Sequence, residues 1–443
     1  MSNCMKEIRE ILLFCIMRPV SLASLILGLA FINPVLPPLM EAGEFTIRYI
    51  DIGTVLLIWF VFRKFYIQKN SFFKHKWWII FRPLAPFFIY TGLSIGLVRV
   101  YAPDVVWASV ASYARLMVTI LTGWLIYMSI EKESDLKFIV KSIVAFAAIS
   151  IIFGIWQAFS GPLERIWIDR YGGFLGINNF GLISGLLIVW SVIGFIYKIT
   201  PLFSIILMLI GLFGLLLSKS ATSTSAAVIT ILFLGTVVVR TKFSKNMQIV
   251  ILTSALIAGI GFLIGALWMI RRSDLIGLLT LSGGSWVQRL MLAYAALQIF
   301  FSHPLGVGWQ ASKTKAILGD PNLNKTLMEA FPKVHREYYF FLDQQLSLHN
   351  MYLQILAELG IVGFLSFIYG ITRIVKMSIN LINKISAKPR LKAYAMSCAI
   401  SLIYLLIWWN SRVLFGGHIE SILAVSFLSI IAIIYQFEDQ NKV

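Results

Sequence analysis

Long apolar runs separated by short polar or charged connections recur along almost the whole chain. A run of about 20 mostly apolar residues is what an α-helix needs to cross the hydrocarbon core of a bilayer. The pattern therefore predicts an all-α polytopic membrane protein. Its twelve predicted spans lie at about residues 11–33, 46–66, 78–98, 105–130, 136–158, 174–197, 201–218, 221–240, 247–270, 351–375, 392–411 and 418–436.

Basic residues cluster on every second connection between these spans. Cytoplasmic loops carry an excess of Lys and Arg, so the clustered connections are expected to face the cytoplasm, together with both termini. The basic residues of these segments are Lys6, Arg9, Arg18, Arg63, Lys64, Lys69, Lys74, Lys76, Lys132, Lys137, Lys141, Lys198, Arg240, Lys242, Lys245, Arg373, Lys376, Lys384, Lys388, Arg390, Lys392 and Lys442.

One long stretch, residues 271–350, does not fit the pattern of spans and falls on the predicted outer side. Within it, 285–301 predicts a helix too short and too polar to span, and 302–310 is rich in turn residues. Loops of this length are usually ordered and functional. We therefore expect three parts: nine spans in 1–270, an outer loop with short helices in 271–350, and three spans in 351–443.

Composition supports the membrane assignment. Of 443 residues, 59% are hydrophobic and 13% are charged, whereas soluble proteins carry about 25% charged residues. The net charge is +18, but a basic excess in a membrane protein belongs mostly to its cytoplasmic loops. The composition therefore excludes a soluble nucleic-acid-binding protein, and no nucleic-acid partner is expected.

His349 opens the tenth predicted span, at its outer end. A lipid-linked substrate would present its head group at this level, and a neutral imidazole can act as a general base near pH 7. The spacing also allows a purely structural histidine that caps the helix and hydrogen-bonds a loop carbonyl. Structural histidines of this kind are commoner than catalytic ones.

Three cations fall on the predicted outer side: Arg289 on the short helix, Arg170 before the sixth span, and Lys219 between the seventh and eighth spans. Several cations facing one pocket would suit a diphosphate, because the planar guanidinium of Arg can bind two phosphate oxygens at once and Lys supplies a mobile point charge. Each of them could instead extend towards the phosphates of the outer leaflet.

Acidic residues give little sign of a metal site. The outer segments contain no Asp-x-Asp or similar cluster, which disfavours a divalent metal that would hold a diphosphate. Glu358 follows His349 on the tenth span, about 13 Å along the helix at 1.5 Å per residue. We expect it to be a buried, paired structural acid rather than a catalytic one, and we expect Gly360 and Gly363 to permit close helix packing.

Two blocks of the last third carry a resemblance to a known family. They are His303-Pro-Leu-Gly-Val-Gly-Trp309 and His349-Asn-x-x-Leu-x-x-x-x-Glu-x-Gly-x-x-Gly363. Together they resemble the signature of the O-antigen ligase and polymerase superfamily. Arg289 stands where that family has an Arg before the Pro-x-Gly-x-Gly turn, and Asp169-Arg-Tyr-Gly-Gly-Phe-x-x-x-Asn-Asn179 resembles its earlier Arg…Gly…Asn stretch.

The resemblance covers roughly residues 160–375 and has one departure. The family often has Ser-Arg after the seventh span, where this chain has Ser218-Lys-Ser220. Lys219 keeps the positive charge but not the bidentate geometry of an Arg.

The resemblance implies an inverting, metal-independent glycosyltransferase of the bacterial inner membrane with a GT-C-like fold and no cofactor. Its donor would be a glycan on undecaprenyl diphosphate. The acceptor would be a sugar of the lipid A core in a ligase, or another lipid-linked glycan in a polymerase. His349 and Arg289 would be catalytic. Substrate-binding residues would be Arg170, Lys219, Asn350 and Asn179.

A transporter is the alternative from another functional class. Twelve spans and Arg115, which lies in the middle of the fourth predicted span, would suit one. Transporters, however, tend to show internal repeats and polar sites at the membrane midplane. The sequence shows no such repeat, and its candidate polar residues gather at one face instead.

Overall fold

The computed structural model describes residues 19–32, 40–42, 45–47, 49–68, 76–160, 175–242, 285–332, 348–385, 388–411 and 418–440. The helices in these ranges are α1 (Pro19–Ile32), α2 (Tyr49–Gln68), α3 (Trp77–Phe81), α4 (Ala85–Leu93), α5 (Ile95–Tyr101), α6 (Val106–Ser129), α7 (Glu133–Ser160), α8 (Gly176–Ile196), α9 (Pro201–Ser218), α10 (Ala221–Lys242), α11 (Ser285–Ser302), α12 (Lys315–Leu318), α13 (Pro321–Ala330), α14 (Met351–Lys384), α15 (Pro389–Trp408) and α16 (His418–Gln440).

Within the described ranges, nine helical segments are long and apolar enough to cross a membrane. Each coincides with a predicted span, so these nine predictions are confirmed. The segments are Trp77–Tyr101, Pro103–Ser129, Glu133–Ser160, Asn178–Ile196, Pro201–Ser218, Ala221–Val238, Met351–Lys384, Pro389–Trp408 and Ile419–Gln440.

The other three predicted spans are described in part or not at all. The first corresponds to α1, which has 14 residues, and the second corresponds to α2, which has 20 residues. The ninth, 247–270, lies outside the described residues. The total of twelve spans therefore stays a prediction.

A short hairpin is the one departure from an all-helical chain in the described residues. Strands β1 (Met40–Ala42) and β2 (Phe45–Ile47) pair in antiparallel register, with Met40 opposite Ile47. Each strand has three residues, which is too short for an alternating pattern to be recognised in the sequence.

The third span consists of α3, α4 and α5, with prolines at the break between α3 and α4 and Ser94 at the break between α4 and α5. Pro83 lies in a 3₁₀ turn (Arg82–Leu84), and Pro86 lies in the first turn of α4. Proline has no backbone N–H to donate and is best tolerated in a first turn.

Small residues allow the central helices to approach closely. Ser429 of α16 donates a hydrogen bond to the carbonyl of Gly123 on α6, with Oγ 2.6 Å from the oxygen. A Cβ at Gly123 would lie 2.8 Å from Val425 Cβ, and a Cβ at Gly211 of α9 would lie 2.9 Å from the Ser184 carbonyl of α8. Such small-residue contacts are typical of helix packing in membranes.

Two ion pairs join segments that the charge pattern predicts to be cytoplasmic. Lys76 Nζ lies 2.6 Å from Asp439 Oδ2, and Lys388 pairs with Glu133. The hydrogen bond to Asp439 raises the pKa of the Lys76 ammonium above its usual range. The first pair joins the connection before α3 to the end of α16, and the second joins the starts of α15 and α7. These contacts agree with the prediction that the joined segments lie on the same side of the membrane.

Candidate active site

A break in α14 provides the docking point for the turn at residues 304–308 and for the segment that follows it, residues 310–332, here called the cap. Gly360 has φ 60° and ψ −162°, which is not helical, so the backbone groups around it lose their helical partners. The turn before the cap replaces those partners. Val307 N donates to Ala357 O at 3.1 Å, Gly308 N donates to Glu358 O at 2.8 Å, and Ile361 N donates to Pro304 O at 3.0 Å.

Glycine is required on both sides of this contact. Gly306 has φ 90° and Gly360 has φ 60°, a region that residues with a Cβ rarely adopt. A Cβ at Gly306 would overlap the Glu358 carbonyl, and a Cβ at Gly360 would overlap the Pro304 carbonyl. The close packing expected at Gly360 is therefore with a turn rather than a helix. A Cβ at Gly363 would meet Leu359 of the same helix first, so close helix packing at Gly363 stays a prediction.

Glu358 joins the cap to α14 from inside the protein. The side chain is fully buried. Its Oε2 accepts a hydrogen bond from Gln310 N at 2.9 Å, and its Oε1 accepts from Ser312 Oγ at 2.6 Å and Gln354 Nε2 at 3.2 Å. The prediction of a buried structural acid is confirmed. Its partners are neutral donors of the cap and of its own helix.

His349 precedes the helix cap and does not form it. The Asn350 side chain is the N-cap of α14, since its Oδ1 accepts from Tyr352 N at 3.0 Å and Leu353 N at 3.1 Å. His349 itself has φ 49° and is partly exposed. The capping role that the structural alternative gave to the histidine therefore belongs to Asn350, and the choice between a structural and a catalytic His349 stays a prediction. A left-handed backbone at a non-glycine residue is uncommon, and such residues cluster at functional sites.

The end of α15 fixes the position of the His349 segment. Asn350 Nδ2 donates to Asn410 Oδ1 at 3.1 Å. Asn410 lies in the 3₁₀ turn that directly follows α15 (Trp409–Ser411). The same side chain of Asn350 therefore caps α14 and binds the adjacent helix end.

Lys219 occupies the left-handed position that ends α9, with φ 46° and ψ 33°. Its side chain is exposed, whereas Ser218 and Ser220 on either side are buried. Ser220 Oγ donates to Ser223 Oγ at 3.0 Å, and Ser223 Oγ accepts from Trp408 Nε1 at 3.1 Å. The Lys219 turn is thus fixed to the last residue of α15.

Asn179 lies in the first turn of α8, beside the Lys219 turn. Two residues later, Gly181 meets that turn so closely that a Cβ there would lie 2.8 Å from Ser223 Oγ and 3.0 Å from Ser218 Oγ. The structure therefore brings Asn179, Lys219, His349 and Asn350 to one end of the helix bundle, around the end of α15.

Arg289 lies on α11, the helix that packs against α14. Its neighbours Met291 and Leu292 share a buried apolar cluster with Leu348, the residue before His349. The Arg289 side chain is partly exposed. Arg170 lies outside the described residues, so its predicted place in the site stays a prediction.

This arrangement combines the His349 imidazole with the Lys219 ammonium at one end of the helix bundle. Such a set can remove a proton and stabilise an anion, and neither task needs a redox group. Across the parts of the chain that the structure describes, no group of three or more His, Cys, Asp or Glu side chains could hold a metal ion.

The sequence did not point to the residues that position the site. Asn410 and Trp408 act from the end of α15, and Ser223 acts from α10. One signal was available for Asn410, because a polar amide stands directly after the long apolar run that forms α15. The partners of Trp408 and Ser223 depend on tertiary packing alone.

Comparison with known proteins gives a family match for the region that contains most of these residues. Residues 203–368 match a family model described as O-antigen ligase. The matched region runs from α9 to the middle of α14 and so includes Lys219, Arg289, His349 and Asn350. No curated protein is significantly similar to the chain. The match confirms the predicted resemblance over residues 203–368.

Proposed function

We propose that this chain, which carries an O-antigen ligase domain over residues 203–368, is an inverting glycosyltransferase of the ligase type. It would transfer a glycan from undecaprenyl diphosphate to a sugar hydroxyl of the lipid A core. One observation carries the proposal: the Lys219 turn and the His349 segment are both fixed to the end of α15, through Trp408 and Asn410.

The proposed reaction uses the site as a base and an anion receptor. The acceptor hydroxyl attacks the anomeric carbon of the donor, on the side opposite the diphosphate. The new glycosidic C–O bond forms as the bond to the diphosphate oxygen breaks, which inverts the anomeric centre. His349 takes the hydroxyl proton.

The leaving lipid diphosphate keeps the electron pair of the broken bond and gains negative charge. Arg289 and Lys219 offset this charge, with Arg170 as a further candidate. Placing fixed cations where charge develops is usually the largest catalytic contribution at sites of this kind. Asn350 and Asn179 would contact the substrates beside them. The proposed reaction needs neither a metal nor a cofactor, because the diphosphate is already an activated leaving group.

We further propose that the protein lies in the bacterial inner membrane, with twelve spans and a GT-C-like fold. The site would face the periplasm and both termini the cytoplasm. The nine described spans and the basic connections support this topology. The ion pairs Lys76–Asp439 and Lys388–Glu133 also agree with it, because they join segments predicted to be cytoplasmic.

Exchange of His349 for Asn tests the proposed base. Asn is well tolerated at a left-handed φ, so the backbone before α14 should be kept while the basic imidazole is lost. We expect the rate of glycan transfer to fall by about 10²- to 10⁴-fold, the usual contribution of a general base. The assay incubates purified protein with lipid-linked glycan and lipid A-core acceptor, and His75→Asn serves as the control. A full rate in His349→Asn would remove His349 from the chemistry.

The same assay separates the ligase from the alternatives. A polymerase would use the same residues but would extend a second lipid-linked repeat, leaving the lipid A core unmodified. Cells without a polymerase should make single-repeat glycans, whereas cells without a ligase should carry core that lacks any long glycan. A transporter would form no glycosidic bond with either acceptor.

A further inference from the structure

A polar cavity lies where the end of α11 meets the cap. It has a volume of about 120 Å³ and lies between the end of α11, the helix α12 and the first turns of α13. Its polar lining comes from two amides, two hydroxyls, one imidazole and one carboxylate. These belong to Gln298, Asn322, Ser302, Thr326, His303 and Asp320.

The lining fits an uncharged ligand that carries many hydroxyl groups. Ile299, Ile317 and Leu323 supply apolar surface to the same cavity, and each of them is buried. Binding sites typically combine an apolar wall with a few placed polar groups. Among the described residues that line this cavity there is no Lys or Arg, so a phosphate would meet the Asp320 carboxylate without a compensating cation.

Several polar groups of the cavity are held in place by the fold. Asp320 caps α13, with its Oδ1 accepting from Asn322 N at 2.8 Å. Thr326 Oγ1 donates to Asn322 O at 2.9 Å. The His303 ring lies against Tyr101, with ring centroids 4.6 Å apart, and the His303 carbonyl accepts from Gly306 N at 2.7 Å. Groups fixed in advance lose little entropy when a ligand binds.

We propose that this cavity is a saccharide subsite that binds one neutral sugar unit of a glycan substrate, at a distance from the reacting bond. This inference rests on the proposed glycosyltransferase function. Gln298 and Ser302 follow Arg289 on α11 by about 14 and 20 Å at 1.5 Å of rise per residue. A sugar bound there is several units away from the anomeric carbon, so the subsite selects the glycan and takes no part in bond formation.

Two substrates could supply that sugar, the acceptor saccharide and the donor glycan. Both offer the same chemistry, a neutral polyhydroxylated ring, and binding measurements with each one separate them. The test uses saturation-transfer NMR and titration of the purified full-length protein in nanodiscs. The probes are delipidated core oligosaccharide in one arm and free repeat-unit glycan in the other.

The informative variants are Gln298→Leu and Thr326→Val, which remove polar groups with little change in volume. Thr119→Val is a matched control on α6, away from the cavity. Like Thr326, Thr119 donates a hydrogen bond from Oγ1 to the carbonyl four residues earlier, at 2.9 Å. We expect each cavity variant to weaken binding of one saccharide by about five- to tenfold, the usual effect of one lost hydrogen bond. We expect Thr119→Val and His349→Asn to bind it normally.

Kinetics give a second readout, which a merely structural role would not produce. The cavity variants should raise the KM of the bound substrate and leave kcat and the KM of the other substrate unchanged. The subsite is overturned if neither saccharide binds the wild-type protein, or if both cavity variants bind like Thr119→Val. If binding depends on the cavity but His349→Asn transfers glycan at full rate, the proposed catalytic site fails and the subsite stands.

Discussion

Replacing Glu358 with Ala should loosen the cap from α14 and destabilise the protein. The carboxylate accepts three hydrogen bonds inside the protein, from Gln310 N, Ser312 Oγ and Gln354 Nε2. A buried donor left without a partner costs about 1–3 kcal/mol. Three such donors would cost about 3–9 kcal/mol if none of them found a new partner.

The expected loss is smaller than this upper bound, about 3–5 kcal/mol, because two of the donors can move. The Ser312 and Gln354 side chains can rotate towards other acceptors, but the Gln310 N–H is held by the backbone. Glu358→Gln should lie between the wild type and Glu358→Ala. Its amide oxygen can still accept from Ser312 and Gln354, whereas its NH₂ group would face the Gln310 N–H, donor against donor.

The assay combines unfolding in detergent micelles with hydrogen exchange. The denaturant midpoint should fall in the order wild type, Glu358→Gln, Glu358→Ala, and the amides of Val307 and Gly308 should exchange faster in the same order. Glu329→Ala is the matched control, because Glu329 is an exposed acid of the cap. An unchanged midpoint together with unchanged exchange at Gly308 in Glu358→Ala would refute the clamping role.

Two further predictions test the backbone conformations of the site. Gly306→Ala should cost about 2 kcal/mol or more, because φ is 90° and the new Cβ would overlap the Glu358 carbonyl. Gly96→Ala, where a Cβ meets nothing within 4 Å, is the control in the same denaturation series. Equal denaturation midpoints for Gly306→Ala and Gly96→Ala would contradict the docking of the turn against α14. Lys219→Gly should keep or slightly raise the melting temperature, since glycine suits φ 46°, yet it should slow transfer, whereas Lys219→Arg should not. A full transfer rate in Lys219→Gly would show that the ammonium is not needed.

The spans and the turn before the cap could be predicted because their signals are local. A run of about 20 apolar residues is enough to indicate a membrane helix, and the structure confirms nine such segments. The short helix predicted at 285–301 is α11 (Ser285–Ser302). The Pro and Gly residues of 302–310 likewise identified a turn from their own backbone preferences.

The contacts that build the site could not be predicted, because they join residues far apart in the chain. The sequence grouped Gly306 and Glu358 into one family signature, but only the structure shows that their backbones touch. Asn350 was predicted to bind substrate, and its bond to Asn410 depends on where α15 ends, whereas its N-cap contacts are local to α14. The positive φ of Lys219 follows from its place at the end of α9, where Gly or Asn would be more usual.

The central claim is that His349 and the outer cations share one site for a lipid diphosphate. The most direct measurement is a cryo-electron-microscopy map of the protein in nanodiscs with the lipid-linked glycan donor bound. We predict diphosphate density within hydrogen-bond distance of Arg289 and Lys219, with the anomeric carbon facing the His349 imidazole across the space for an acceptor hydroxyl. A diphosphate bound away from both cations, or a His349 ring turned towards the lipid tails, would contradict the account.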